Sequence, residues 1–206
     1  EAVKNECAYM GFLAIHLLDS VQEVFFNNRK DLIPKIEETE TKIDQLHKAV
    51  KAYAEDIMQA GISDDAARVL TLYVASSGNI ERIGDYGKKL LEYYAYRQNR
   101  PKDFSQQAMM ELSGMYAEAH HAIVTALDGF INDDPDKARE VAPIAGKLRG
   151  LEVELRNRHI QRLDKQECDS ETGLVYVDIL GIIEHIGYHS NNVAKATIST
   201  CAETKA

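Results

Sequence analysis

Residues 79–90 read NIERIGDYGKKL and residues 182–193 read IIEHIGYHSNNV, two versions of one pattern within a chain of 206 residues. Further positions align with them. Glu6 and Met10 fall on Glu111 and Met115, and Phe25 on Phe130, at an offset of 105. Glu81, Ile83 and Gly84 fall on Glu184, Ile186 and Gly187 at an offset of 103. Between them Asp44 falls near Glu152 at an offset of about 108, which sets Leu148 opposite Glu40. Small drifts of offset are what loop insertions produce. A period this long exceeds the roughly 20–50 residues of a solenoid repeat and implies a duplicated subdomain. The chain must therefore fold into an architecture with two like halves.

Apolar spacing supplies the content of each half. In residues 1–28, Met10, Leu17, Val21, Val24 and Phe25 share one side. After Pro34, the series Ile36, Ile43, Leu46, Val50, Tyr53 and Ile57 steps by three, four or seven, the stripe of a helix packed lengthwise in a bundle. Gly61 ends that helix, and Ser63 or Asp64 caps a third one carrying Leu70, Tyr73, Val74, Ile80 and Leu91. The polar, Pro101-containing stretch 98–104 reads as a linker between a first repeat over 1–97 and a second over 105–206. The pattern then restarts with helices over about 105–132, from Asp134-Pro135 onward, and over about 173–199. Pro143 predicts a kink or a fresh start inside the fifth helix. Long helices joined by short loops lie antiparallel. The expected fold is all-α: two tandem three-helix bundles, six helices in all, packed lengthwise because neither alone encloses much core.

Charge and residue usage exclude several function classes. A formal charge of −9 argues against nucleic acid, which needs clustered Lys and Arg, and against docking on anionic lipid by charge. Cys7, Cys168 and Cys201 form no CxxC pattern and are odd in number, which favours a reducing compartment. The most apolar stretch, 174–183, is interrupted by Asp178, so no insertion into a membrane is expected of this chain. The chain opens at Glu1 without a signal-peptide pattern, and reads as a soluble unit that could belong to a larger protein. There is no GxSxG, no cysteine or serine with an evident histidine partner, and no phosphate-cradling glycine loop.

The unusual feature is a set of acidic pairs four residues apart: Glu40 with Asp44, and Glu81 with Asp85. Such a pair projects from one helix face, so two neighbouring helices can bring four carboxylates together. Carboxylates that close repel, and a cation relieves them. Oxygen-only ligands point to a hard or intermediate metal ion. The plainer alternative is a solvated face balanced by Lys42, Lys48, Arg82 and Lys88. Two further arrangements are open. His185 and His189 could join His159 around a metal, and Glu118 with His121 or Asp44 with His47 gives the acid-x-x-His spacing of di-iron bundle enzymes. The latter needs further inward acids, for which Glu6 is the candidate.

The stretch Glu81-Arg82-Ile83-Gly84-Asp85 resembles the signature of PhoU-like domains, in which it lies on the last helix of each of two three-helix repeats. The second copy keeps Glu184, Ile186 and Gly187 but has His185 and Tyr188 at the other two places. RNRHIQRL, residues 156–163, is similar to an element of the PhoU-like domains attached to sodium/phosphate cotransporters. The Pro-x-Ala-x-Asp-Leu-Arg element of free-standing members is absent from the sequence. The resemblance implies a non-enzymatic regulator of phosphate uptake, cytoplasmic or on the cytoplasmic face of the cell membrane as part of a larger membrane protein. It implies a phosphate transporter or its membrane-spanning part as partner, and leaves homo-oligomerisation open. It also implies a metal, iron first with manganese, magnesium, calcium or zinc as alternatives. The implied ligands are Glu40, Asp44, Glu81 and Asp85, with Glu184 the one firm match in the second repeat. A di-iron or manganese carboxylate enzyme and a metal-free interaction module are the alternatives.

Overall fold

The computed structural model describes residues 1–99, 104–165 and 170–203. Six long helices carry the fold: α1 (Ala2–Asn27), α2 (Ile33–Gln59), α3 (Asp64–Gln98), α4 (Gln106–Ile131), α6 (Val141–Asp164) and α7 (Ser170–Glu203). A one-turn helix α5 (Pro135–Arg139) precedes α6, and a 3-10 turn (Lys30–Leu32) leads into α2. No strand occurs among the described residues. The residues 100–103, at the heart of the expected linker, and 166–169, in the polar stretch before the last helix, lie outside the described ones.

Local chemistry sets the ends. Asn28 takes the left-handed conformation at φ 58° and returns its N–H to the carbonyls of Glu23 and Val24, closing α1. Gly61, at φ 83°, allows the reversal between α2 and α3. Ser63 caps α3 through the N–H of Ala66, with Asp64 and Asp65 placed favourably against the helix dipole. Ser105 caps α4 in the same way through Ala108. The fifth helix makes a fresh start rather than a kink: Asp134 caps α5, the chain turns at Glu140, and α6 begins at Val141. Pro143 then sits in the first turn of α6, where its missing N–H costs no helical bond. The last helix begins at Ser170 and reaches Glu203, longer at both ends than its apolar pattern indicates.

Within each half the third helix packs on the first two, α3 on α1 and α2, α7 on α4 and α6. The halves meet along α3 against α7 and α1 against α4, so one continuous core runs through both. Met10, Leu17 and Ile80 of the first half and Leu112, Met115 and Ile186 of the second are fully buried in it. The buried Tyr116 hydroxyl on α4 donates to the Leu18 carbonyl on α1 at 2.6 Å, pinning that seam.

Burial also fixes how the halves superpose. On α2 the buried residues are Ile36, Ile43, Val50 and Ala54; on α6 they include Val141, Leu148, Leu155 and His159, each 105 positions later. The motif glycines agree. A side chain at Gly84 would meet Ile43, and one at Gly187 would meet Leu148. The offset for this helix pair is thus 105 rather than 108. Leu148 stands opposite Ile43, and the counterparts of Glu40 and Asp44 are Ala145 and Arg149.

Candidate functional site: the carboxylate face of the first repeat

Helix α2 supplies Glu40 and Asp44 and helix α3 supplies Glu81 and Asp85 to one partly shielded face. Glu40 and Glu81 are the more enclosed, with side chains 13% and 20% exposed. The Glu81 carboxyl is raised above its ordinary value, first by burial and then by repulsion from Asp85, Asp44 and Glu40. Asp85 is raised as well, by burial and by Glu40 and Asp44 against the opposing pull of Arg82 and Lys88. All four acids therefore act on one another across the α2–α3 seam, as their i, i+4 spacing predicts.

Cations answer them in turn. Lys88 Nζ donates to Glu40 at 2.9 Å and Lys48 Nζ to Asp44 at 2.6 Å. Arg82 lies 3.8 Å from Glu81 and 3.4 Å from Asp85. In this arrangement no three His, Cys, Asp or Glu side chains among the described residues are close enough to chelate one ion. By charge and oxygen chemistry the four acids fit a hard cation. Arg82 and Lys88, whose side chains are 61% and 44% exposed, reach the acids from the solvent side.

The second repeat has exchanged this chemistry. Glu184 keeps its place, but Arg149 occupies the position of Asp44 and brings its Nε to 3.9 Å from Glu184. Ala145 and Tyr188 replace the remaining two acids. An arginine thus faces the one acid of the set that the second repeat keeps. Glu152 is not the counterpart of Asp44; it pairs with Arg156 on the same helix.

The histidines are dispersed. His185 stacks on Tyr86 of α3 at 5.3 Å and 3°, and His189 leans on the same ring. His189 Nδ1 lies 2.9 Å from Asn79 Oδ1, and burial, then His185 and Arg82, push its pKa down to about 4. His159 instead packs on Tyr176, so the three do not share a site. His47 Nδ1 meets Ser77 Oγ at 2.9 Å, Glu118 pairs with Lys147, and His120 rather than His121 meets an acid, Asp19 on α1. Glu6 borders a groove at the far end of α2. Among the described residues no set of acids and histidines converges as a di-iron site requires.

Sequence reasoning missed an enclosed ionic group. Glu111 on α4, its side chain 6% exposed, accepts two hydrogen bonds from Arg162 of α6 at 3.1 and 3.0 Å. It also accepts from Tyr176 of α7 at 2.7 Å and Gln107 at 3.1 Å, and Arg158 lies 3.7 Å away. Burial pushes the Glu111 carboxyl up, but the hydrogen bonds from Arg162, Tyr176 and Gln107 outweigh it and hold it below the ordinary value. The RNRHIQRL stretch therefore works as a clamp joining α4, α6 and α7. Its signal in the sequence was the Arg158/Arg162 spacing of four on a helix facing the Glu111 side.

Comparison with known proteins follows the same division. The PhoU domain family matches twice, at residues 8–94 and 112–197. A phosphate-specific transport system accessory protein, PhoU homolog 1 of Thermotoga maritima, is 24% identical over 198 residues, covering 95% of this chain and 84% of that protein. The crystal structure of PhoU from Pseudomonas aeruginosa superposes with a TM-score of 0.89 at 19% identity, covering 97% of this chain and 95% of the other. The phosphate transport system regulatory protein PhoU from Streptococcus pneumoniae superposes at 0.84 and 16% identity, over 97% and 93%. With a family match in each half and the same two-repeat helical fold, the chain belongs to the PhoU domain family.

Proposed function

We propose that this protein is a non-enzymatic regulator of phosphate transport, a stiff helical body whose surface limits or reports the activity of a transporter. The observation that carries the reading is the pair of PhoU domains spanning most of the chain. The likeness to a phosphate-specific transport system accessory protein over nearly the whole length supports it. Among the described residues no helix is long and apolar enough to cross a membrane, so the transporter is a separate chain or a separate segment. In the finer form of the proposal this body works at the cytoplasmic face of a sodium/phosphate cotransporter. Radiolabelled phosphate uptake, measured in cells with and without the protein, tests the reading. Uptake that fails to respond to its removal under both phosphate-rich and phosphate-poor growth refutes it.

The second part of the proposal concerns the carboxylate face. Glu40, Asp44, Glu81 and Asp85 hold a hard cation, iron foremost, that cancels their repulsion and ties α2 to α3; Glu184, already answered by Arg149, holds none. Such an ion supplies charge neutralisation there, not turnover. A metal-free face is the second reading, favoured by the Lys88–Glu40 and Lys48–Asp44 contacts. Elemental analysis of protein purified without chelator, together with the thermal midpoint in iron(II), manganese or calcium, separates the two. No bound metal and no midpoint shift leaves the metal-free face.

A further inference from the structure

The two halves differ most sharply at the end of the bundle where α1 begins and α2 finishes. Superposed by the burial offsets, Ala2, Glu6, Tyr53, Ile57 and Tyr73 occupy the places of Gln107, Glu111, Arg158, Arg162 and Tyr176. In the second half these residues gather around Glu111, with Gln107 and Arg158 at the exposed rim and Arg162 and Tyr176 bonded to it from α6 and α7. In the first half the acid and the tyrosine remain in sequence, the tyrosine now edge-on against Phe130 of α4, and both arginines are gone. The space is open. Two adjoining hollows of about 290 and 240 Å³ lie there, sharing Ala2, Val3 and Tyr53. Glu6 borders one, and Glu1, Ile57 and Tyr73 border the other. Lys42 of α2 acts on Glu6 electrostatically without an ion pair, its own amine bonded to Tyr9 instead.

We infer that this groove receives an arginine side chain of a partner protein, which takes the place that Arg162 fills in the second half. The chain's own second repeat shows which group answers a glutamate at this place on the first helix of a repeat. A guanidinium satisfies both oxygens of a carboxylate at once, as Arg162 does for Glu111, and lysine cannot. Glu6 and Glu1 give the groove a charge complementary to that group. The apolar walls, Val3, Ile57 and Leu70 among them, suit the aliphatic stem of an arginine and a neighbouring apolar residue on the same segment. The groove is distinct from the carboxylate face, and the inference rests on the internal comparison alone. Its failure leaves the transport reading and the metal reading untouched.

The test uses three blocked tripeptide amides, acetyl-Leu-Arg-Leu, acetyl-Leu-Lys-Leu and acetyl-Leu-Gln-Leu, titrated into isotope-labelled protein and followed by amide NMR shifts. The arginine peptide should move the signals of Ala2, Glu6, Tyr53 and Tyr73, and bind roughly tenfold more tightly than the other two. Glu6→Gln should bring its affinity down to theirs. Ile57→Arg, which recreates the second-half arrangement within the chain, should abolish binding without lowering the thermal midpoint. Equal binding of all three peptides, or arginine binding that survives Glu6→Gln, overturns the inference. So does a concentration-dependent dimer in sedimentation that Ile57→Arg dissolves, since the occupant is then a second copy of this chain.

Discussion

Replacing Arg162 with methionine should destabilise the protein in a way that depends on pH. The substitution keeps an unbranched apolar stem but removes the guanidinium that lies over the Tyr176 ring, and with it both hydrogen bonds to Glu111, whose side chain is 6% exposed. Breaking a buried pair from one side costs about 3–5 kcal/mol, because a buried charge is left without its partner. Protonation sets a ceiling on that cost. Neutralising a carboxyl of ordinary pKa at pH 7 takes about 3.7 kcal/mol, and the retained bonds from Tyr176 and Gln107, with Arg158 3.7 Å away, offset part of the loss. The expected loss at pH 7 is about 2–3 kcal/mol, or roughly 5–10 °C in the thermal midpoint of a chain this size. At pH 5 the same protonation costs about 1 kcal/mol, so the difference from the parent should shrink to about that. The parent's own behaviour has a definite sign. Glu111 is held below its ordinary value, so its contribution is complete above that value and fades as pH falls through the folded-state pKa. Urea unfolding of both proteins at pH 7 and pH 5 measures all of this. Adding Glu111→Gln should recover much of the loss at pH 7. A cost below about 1 kcal/mol at pH 7, or the same cost at both pH values, refutes the account of Glu111 as a buried, arginine-held carboxylate.

Other outcomes follow from the same reasoning. Glu81→Gln with Asp85→Asn, in chelator, should raise the thermal midpoint at pH 7 and flatten its rise on acidification, since both carboxyls are pushed upward in the folded state and favour proton uptake there. His189 has the opposite sign. Its folded-state pKa of about 4 means stability is lost as pH falls from the ordinary histidine value toward 4, and His189→Gln should remove that part of the acid sensitivity in urea titrations. Gly84→Ala should be neutral or stabilising by up to about 1 kcal/mol, because a methyl there makes ordinary contact with Ile43 and helix propensity improves. Gly187→Ala should instead lose about 1 kcal/mol or more, because the methyl would run into the buried Leu148 side chain; circular dichroism melts compare the two. Asp134→Ala should cost about 1 kcal/mol by freeing the N–H groups of Asp136 and Lys137 at the α5 start.

The elements were legible because their signals are local. The spacing from Ile36 to Val50 matches a helix whose buried residues include Ile36, Ile43 and Val50, whereas Tyr53, farther along the same stripe, is exposed. Ser63 caps where expected, α4 starts where expected, just after Ser105, and Pro143 lies in the first turn of α6. The acidic pairs were legible for the same reason, since their spacing alone puts Glu81 and Asp85 on one face. Which cation answers each acid was not, because Lys88 is distant from Glu40 in sequence and meets it only through packing. The partner of Glu111 was hidden likewise: Arg162 is 51 residues away and reaches it only across the α4–α6 contact.

Sequence by itself determined the duplication, the helical content and the chemistry of NIERIGDYGKKL, since periodicity, caps and residue type are properties of neighbouring positions. Tertiary structure decided the correspondence between the halves. Burial set α6 against α2 at an offset of 105, put Arg149 rather than an acid beside Glu184, and showed Ile57 standing where Arg162 stands. That division has a physical cause. An amphipathic stripe states which face of a helix is buried, but which residue meets which across a seam depends on how far one helix has slid along another, and only packing chooses that.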